Sequence, residues 1–215
     1  MHKLNNSHVK ISSSDRLYQS EKAIIGLTGS IATGKSTASA YFNKKGIPLI
    51  DADKLVKQIY RTSECLEFIS NLCPESVISN KIDFKKLRKS FFSKPKIKKE
   101  IENFIYARLP IEFNKQVKKL SFNQYDFLIY DVPLLFEKNL QNNLDLTVVV
   151  YTSEQDQLER LLKRDHLNLE QAEEMIKHQI PITQKKDLAN FILDNSKTIE
   201  HLENDIELFL SKILS

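Results

Sequence analysis

Eight consecutive residues, Gly29-Ser30-Ile31-Ala32-Thr33-Gly34-Lys35-Ser36, follow the pattern G-x-x-x-x-G-K-[ST], and each fixed position has a chemical task. A turn of small residues aims backbone N–H groups at phosphate oxygens, and a helix opening directly after it adds its positive end. Lys35 reaches the β- and γ-phosphates as a point charge. The Ser36 hydroxyl suits Mg²⁺, and Thr37 backs up that position. Three of the four glycines in the chain, Gly26, Gly29 and Gly34, gather at this loop. The chemistry implied is the binding of ATP with Mg²⁺ and the movement of its terminal phosphoryl group.

Further acids stand where such chemistry could use them. Ile47-Pro48-Leu49-Ile50-Asp51-Ala52-Asp53 ends an apolar run in two carboxylates. Either can accept the proton of an attacking hydroxyl and orient it toward the γ-phosphoryl group, and either can instead cap a helix. Asp131 closes another apolar run and precedes Val132-Pro133-Leu134-Leu135-Phe136-Glu137, a third acid near the metal or the acceptor, or a plain turn.

Asn80-Lys81-Ile82-Asp83 imitates a guanine-reading N-K-x-D. That reading needs a D-x-x-G switch as well, and none of the four glycines has Asp three residues before it. Nor does Asn80 follow an apolar strand, at whose carboxyl end a base-reading loop belongs. A GTPase is therefore rejected.

These residues need a scaffold. Ala23–Thr28, Ile47–Ile50, Phe127–Val132, Leu146–Tyr151 and Phe191–Leu193 are short, nearly continuous apolar runs separated by helical patterns. Such runs predict an α/β fold, a parallel five-stranded sheet covered by helices on both faces. A helix is expected over Ser36–Asn43 with Gly46 as its stop, and another through Ile199, Leu202, Ile206, Phe209, Leu210 and Ile213. Between the second and third strands Leu87, Phe91, Phe92, Ile97, Ile101, Phe104, Ile105 and Leu109 recur at helical spacing. This predicts a helical insertion, about residues 61–122, whose aromatics belong to its own core. Residues 1–22 are rich in Ser, Asn, Lys and His, lack an apolar period, and are expected to form a flexible leader outside a single domain of residues 23–215.

At 215 residues, with 41% hydrophobic and 28% charged side chains, the composition is that of an ordinary globular domain. No apolar run approaches the ~20 residues of a membrane-spanning helix, so no membrane partner is expected. Cys65 and Cys73 lack neighbouring ligands for a metal site and do not form a secreted disulfide pattern, which favours a reducing, cytoplasmic setting. The formal charge of +4 is uneven. Residues 81–120 carry thirteen Lys or Arg against four Asp or Glu, a net of 13 − 4 = +9, leaving −5 elsewhere. Such a block can bind a phosphorylated small molecule or nucleic acid, and interspersed lysines also describe a solvated helix face.

In order and spacing, Gly26-Leu27-Thr28-Gly29, Gly46-Ile47-Pro48 with Asp51-Ala52-Asp53, and Pro133-Leu134-Leu135-Phe136-Glu137 resemble the dephospho-CoA kinase family. The likeness runs from about residue 23 to 210 and includes Arg160, Arg164-Asp165, Gln179 and Ile192-Leu193-Asp194-Asn195, with Ile82-Asp83 and Leu87-Arg88 inside the insertion. The resemblance implies a P-loop kinase fold with an acceptor-binding helical insertion and a helical lid at about residues 160–188. It implies phosphorylation of the ribose 3′-hydroxyl of dephospho-CoA by ATP, the final step of coenzyme A synthesis. It also implies Asp53 as base, Arg164 as the lid cation on the transferring phosphate, Asn195 near the adenine, and Asp51, Arg88, Pro133 and Leu134 around the acceptor. The chain departs from the family at Ser30 and Ala32, where glycines are usual, at Tyr106-Ala107 in place of His-Pro, and at Lys197 in place of glycine. A monomer or weak homo-oligomer is expected, with no nucleic-acid partner. The competing readings are a nucleoside or nucleoside monophosphate kinase, which differs at the acceptor, and a nucleic-acid-binding P-loop protein, whose affinity would fall steeply with salt.

Overall fold

The computed structural model describes residues 1–165 and 168–215, with the backbone alone at residue 165. They form two compact units, residues 1–51 with 120–215, and residues 52–119.

In the larger unit, β1 (Ala23–Gly29), β2 (Leu49–Asp51), β5 (Phe127–Asp131), β6 (Leu146–Tyr151) and β7 (Phe191–Asp194) form one sheet in the order β2-β5-β1-β6-β7. Every neighbouring pair is parallel. All of β1 and β5 is buried, as a sheet covered on both faces requires. The chain moves from β5 on one side of β1 to β6 on the other, so the strand order switches at β1. In open α/β sheets ligands bind outside the carboxyl ends of the strands at such a switch. Register places Asp51 beside Asp131 and Leu27 beside Asp131, so the acids of β2 and β5 end level with the start of the loop that follows β1.

Helices complete this unit. α1 (Lys35–Lys44) begins directly after Gly34 and buries Ala38 and Phe42. Gly46, at φ +76°, makes the left-handed turn that the glycine stop predicted. α9 (Ile199–Ile213), capped by Thr198, buries Leu202, Ile206, Phe209, Leu210 and Ile213, and Phe209 meets the Phe42 ring edge-on at 6.2 Å. Between β6 and β7 lie α6 (Glu154–Asp165), α7 (Leu169–Lys177) and α8 (Ile182–Leu188). Asn168 and Gln171 form a reciprocal capping box at the start of α7.

The leader differs from its expectation. Leu4 joins the core cluster, and Arg16 is buried against Asp145, with Nε–Oδ2 at 2.7 Å and Nη2–Oδ1 at 3.0 Å. Asp145 also accepts the Ile24 N–H at 2.8 Å, so one carboxylate joins the leader to the first strand. A planar guanidinium fork matched to a carboxylate supplies the order that apolar periodicity did not announce.

The smaller unit contains α2 (Ala52–Tyr60), α3 (Ser63–Leu72), the hairpin of β3 (Val77–Ile78) and β4 (Lys81–Ile82), α4 (Phe84–Ser93) and α5 (Pro95–Val117). Its buried side chains include Leu55, Ile59, Ile69, Leu87, Ile101 and Ile105. Phe92 is a correction to the expected core. It is 70% exposed, with the Arg88 guanidinium 5.7 Å from its ring centroid, because Leu87 and Ser90 form the buried side of α4. The N-K-x-D look-alike is also explained: Ser79 and Asn80, at φ +49° and +57°, turn the hairpin, and Asp83 caps α4. It is a turn followed by a helix cap.

Candidate functional site

The loop 29–34 joins β1 to α1 at the switch point, and its residues explain its shape. A Cβ on Gly29 would fall 2.5 Å from Thr33 Oγ1, so that something must shift, and 3.1 Å from the Val150 carbonyl, a tight contact with backbone. Gly34 has φ +90°, open to glycine and strained for other residues. Ala32 has φ +61°, which gives a physical reason for glycine to be usual there. Thr33 is buried and its hydroxyl donates to the Ser30 carbonyl at 2.9 Å.

Lys35 opens α1 and pairs with Asp131 at the end of β5, which is only 4% exposed. The second oxygen of Asp131 accepts the Ser39 hydroxyl at 2.6 Å. The Lys35 ammonium is therefore held by a nearly buried carboxylate at the foot of the loop. Ser36, one residue on, is exposed. Its hydroxyl and the Asp131 carboxylate are hard oxygen donors and fit a divalent cation that arrives with nucleotide phosphates. Among the described residues no three His, Cys, Asp or Glu side chains are placed as a dedicated metal cage.

Asn195 lies against the loop after β7. Its amide donates to the Thr33 carbonyl at 2.8 Å, and its own carbonyl accepts Arg160 Nη2 at 2.7 Å. Arg160 Nη1 also approaches the Ala32 carbonyl at 3.5 Å. Of the two α6 arginines, these contacts come from Arg160. Arg164 sits one turn further along, exposed near the end of α6.

Two side chains that the sequence reading did not place in the site lie in its wall. Lys185 of α8 is fully buried, and its ammonium donates to the carbonyls of Gly29 at 3.3 Å and Pro133 at 3.1 Å. It also pairs with Glu137 Oε1 at 2.8 Å. Burial lowers the pKa of Lys185, and Lys35 lowers it further, while Glu137 opposes both. The one signal available was Glu137, the last residue of the Pro133–Glu137 run. The Gln179 amide oxygen accepts the Ile31 N–H at 2.8 Å.

Of the expected acceptor residues, Asp51 ends β2 beside Asp131, Pro133 offers its carbonyl to Thr28 and Lys185, and Leu134 is 39% exposed. Asp53 and Arg88 belong to the helical unit, in the first turn of α2 and on α4. That unit has a cavity of about 750 Å³ of its own. Lys57, Arg61 and Lys81 line it with no carboxylate among the lining residues, and the rings of Tyr60 and Phe84 meet edge-on at 5.4 Å. Burial pushes the Tyr60 hydroxyl up to about 12.

Residues 23–201 match the family model described as dephospho-CoA kinase. A relative named dephospho-CoA kinase, from Shouchella clausii, is 34% identical over 191 residues, covering 87% of this chain and 97% of its own. Among solved structures, TT1252 from Thermus thermophilus superposes with a TM-score of 0.79 at 27% identity, covering 90% of this chain and 98% of that one. A dephospho-CoA kinase from Campylobacter jejuni gives 0.66 at 29% identity, over 88% and 96%. Matched along most of its length, and by relatives spanned almost end to end, this chain belongs to the dephospho-CoA kinase family.

Proposed function

We propose that this chain transfers the γ-phosphoryl group of ATP to the ribose 3′-hydroxyl of dephospho-CoA, giving coenzyme A and ADP. The observation that carries this reading is the phosphate loop at the strand-order switch, with Lys35 held against Asp131, in a chain of this family.

The loop from Gly29 to Gly34 supplies backbone N–H groups for the phosphates, and the first turn of α1 adds its positive end. Lys35 leaves Asp131 for the β- and γ-phosphate oxygens. Ser36 and Asp131 are the residues that would hold Mg²⁺, which neutralises charge developing on the phosphates when bound. Asp53 accepts the proton of the ribose hydroxyl as that oxygen bonds to the γ-phosphorus. The bond from phosphorus to the bridging oxygen breaks, and ADP leaves with that electron pair. Arg164 stabilises the charge on the transferring group, Asn195 borders the adenine, and Asp51, Arg88, Pro133 and Leu134 contact the acceptor. The cavity ringed by Lys57, Arg61 and Lys81 suits the acceptor's pyrophosphate. Two free, buried cysteines favour a reducing, cytoplasmic setting.

An acceptor screen with ATP and Mg²⁺, read by coupled ADP release, tests the reading. Dephospho-CoA should exceed AMP, CMP, adenosine and pantetheine by at least ~100-fold in kcat/KM, about 2.7 kcal/mol of discrimination. The new phosphate should be on the 3′ oxygen. Comparable turnover of a nucleoside monophosphate would overturn the acceptor assignment and leave the phosphate-loop kinase standing.

A further inference from the structure

Lysine is seldom fully buried, because desolvating an ammonium is costly unless all three of its hydrogens find partners. Lys185 meets that condition with two backbone carbonyls and one carboxylate. Gly29 is the last residue of β1 and the first of the phosphate loop. Pro133 lies two residues beyond Asp131, the carboxylate that holds Lys35. One ammonium therefore bridges the ends of the two strands that carry the loop and the partner of its lysine. Glu137, which holds that ammonium, also accepts the Ile180 N–H at 3.1 Å. Around it, Gln179 takes the Ile31 N–H and the Ser30 hydroxyl donates to the Ile180 carbonyl at 3.3 Å. The segment 179–185 is thus laced to residues 29–31 at three points. Among the described residues, the other carboxylate oxygen of Glu137 is buried without a hydrogen-bond partner.

We propose that Lys185, held by Glu137, is a positioning residue for phosphoryl transfer, one that sets the start of the phosphate loop in register with Asp131 and Lys35. It touches the reacting groups only through the backbone carbonyls it holds, and its charge adds to the positive field near Lys35. The proposal rests on the site being one of phosphoryl transfer. A buried ion pair that merely supports the fold would have the same contacts, so the test must separate the two roles. Replacing both partners of a buried pair by apolar groups of similar size is often neutral for stability, whereas removing one strands the other.

Lys185→Met should unfold at a lower temperature than the wild type, while Lys185→Met with Glu137→Leu should recover most of that stability. Both should lose about 10²-fold in kcat, the order expected for a misplaced reacting geometry, with a smaller change in affinity for a fluorescent ATP analogue. Rates are measured per folded molecule, well below each melting temperature. Recovery of kcat in the double variant, or wild-type kcat in Lys185→Met, would overturn the proposal. If Lys185→Met does not fold, the double variant alone decides. If neither variant folds, the pair is structural and the proposal fails. Wild-type protein that binds the ATP analogue but does not turn over dephospho-CoA would sink the acceptor assignment instead. Lys185 would then be judged on ADP release with whichever acceptor the screen identifies.

Discussion

The Asn195 amide donates to the Thr33 carbonyl at 2.8 Å and lies where the side chain of residue 34 would begin: a Cβ on Gly34 would fall 2.0 Å from Asn195 Nδ2. Gly34 is thus required twice, by its φ of +90° and by the approach of Asn195. Gly34→Ala should weaken binding of a non-hydrolysable ATP analogue at least about tenfold, since a non-glycine residue in such a backbone region costs roughly 1–3 kcal/mol before any clash. Calorimetric titration measures this. Adding Asn195→Ala removes the clash and leaves the backbone cost, so it should restore only part of the affinity. Full restoration would assign the whole requirement to Asn195.

Lys35 and Asp131 form an ion pair, and Asp131 is nearly buried. Lys35→Ala should lower kcat/KM by ~3 kcal/mol or more, the range found when a preorganised electrostatic contact to the transition state is removed. Turnover near that of the wild type would end the phosphate-loop assignment.

Asp51 and Asp53 differ in placement, the first closing β2 and the second lying in the first turn of α2. Asp53→Asn should reduce kcat by ~10²- to 10⁴-fold with little change in ATP affinity, as expected for loss of a proton acceptor. Asp51→Asn is the comparison. Steady-state kinetics in which Asp51→Asn is the more damaging change would move the base to Asp51.

The proposed function gives Arg164 a role on the transferring phosphate, whereas the contacts of Arg160 are with the loop and Asn195. Arg160→Ala removes hydrogen bonds to the carbonyls of Asn195 and Ala32 and should raise the KM for ATP. Arg164→Ala should lower kcat at least about tenfold, ~1.4 kcal/mol, with a smaller effect on KM, because a lid cation acts mainly as charge redistributes in the transition state. The reverse pattern would assign the transition-state contact to Arg160.

In the helical unit, the Glu75 carboxyl is held down to about 2 by its own backbone N–H, by the Lys94 ammonium at 3.0 Å and by the Cys73 thiol. Its folded-state pKa lies below its ordinary value of 4.5, so its contribution to stability is present above that value and is lost as pH falls toward about 2. Glu75 is solvent-exposed, so the effect is small and screened by salt. Melting temperature against pH should fall less steeply across this window in Glu75→Gln than in the wild type. Equal slopes would place the acid sensitivity elsewhere.

The phosphate loop, the class of the fold and the family were legible along the chain because each is local. Gly29 to Ser36 act through their own backbone, and the β1 and β5 runs, buried on both faces, had to be apolar throughout. Asp51 and Asp53 were visible for the same reason, at the end of such a run. What only the tertiary structure decided depends on pairs distant in sequence. Arg16 finds Asp145 across 129 residues, which turns a polar leader into a packed one, and no periodicity encodes that match. Arg160 and Arg164 are one helical turn apart and equivalent in pattern, and the position of the Asn195 carbonyl gives Arg160 its contact with the loop. Lys185 reads as one more surface lysine until Gly29, Pro133 and Glu137 converge on it. Burying a charge is unfavourable in isolation, so its place can be decided only by the partners that folding brings together.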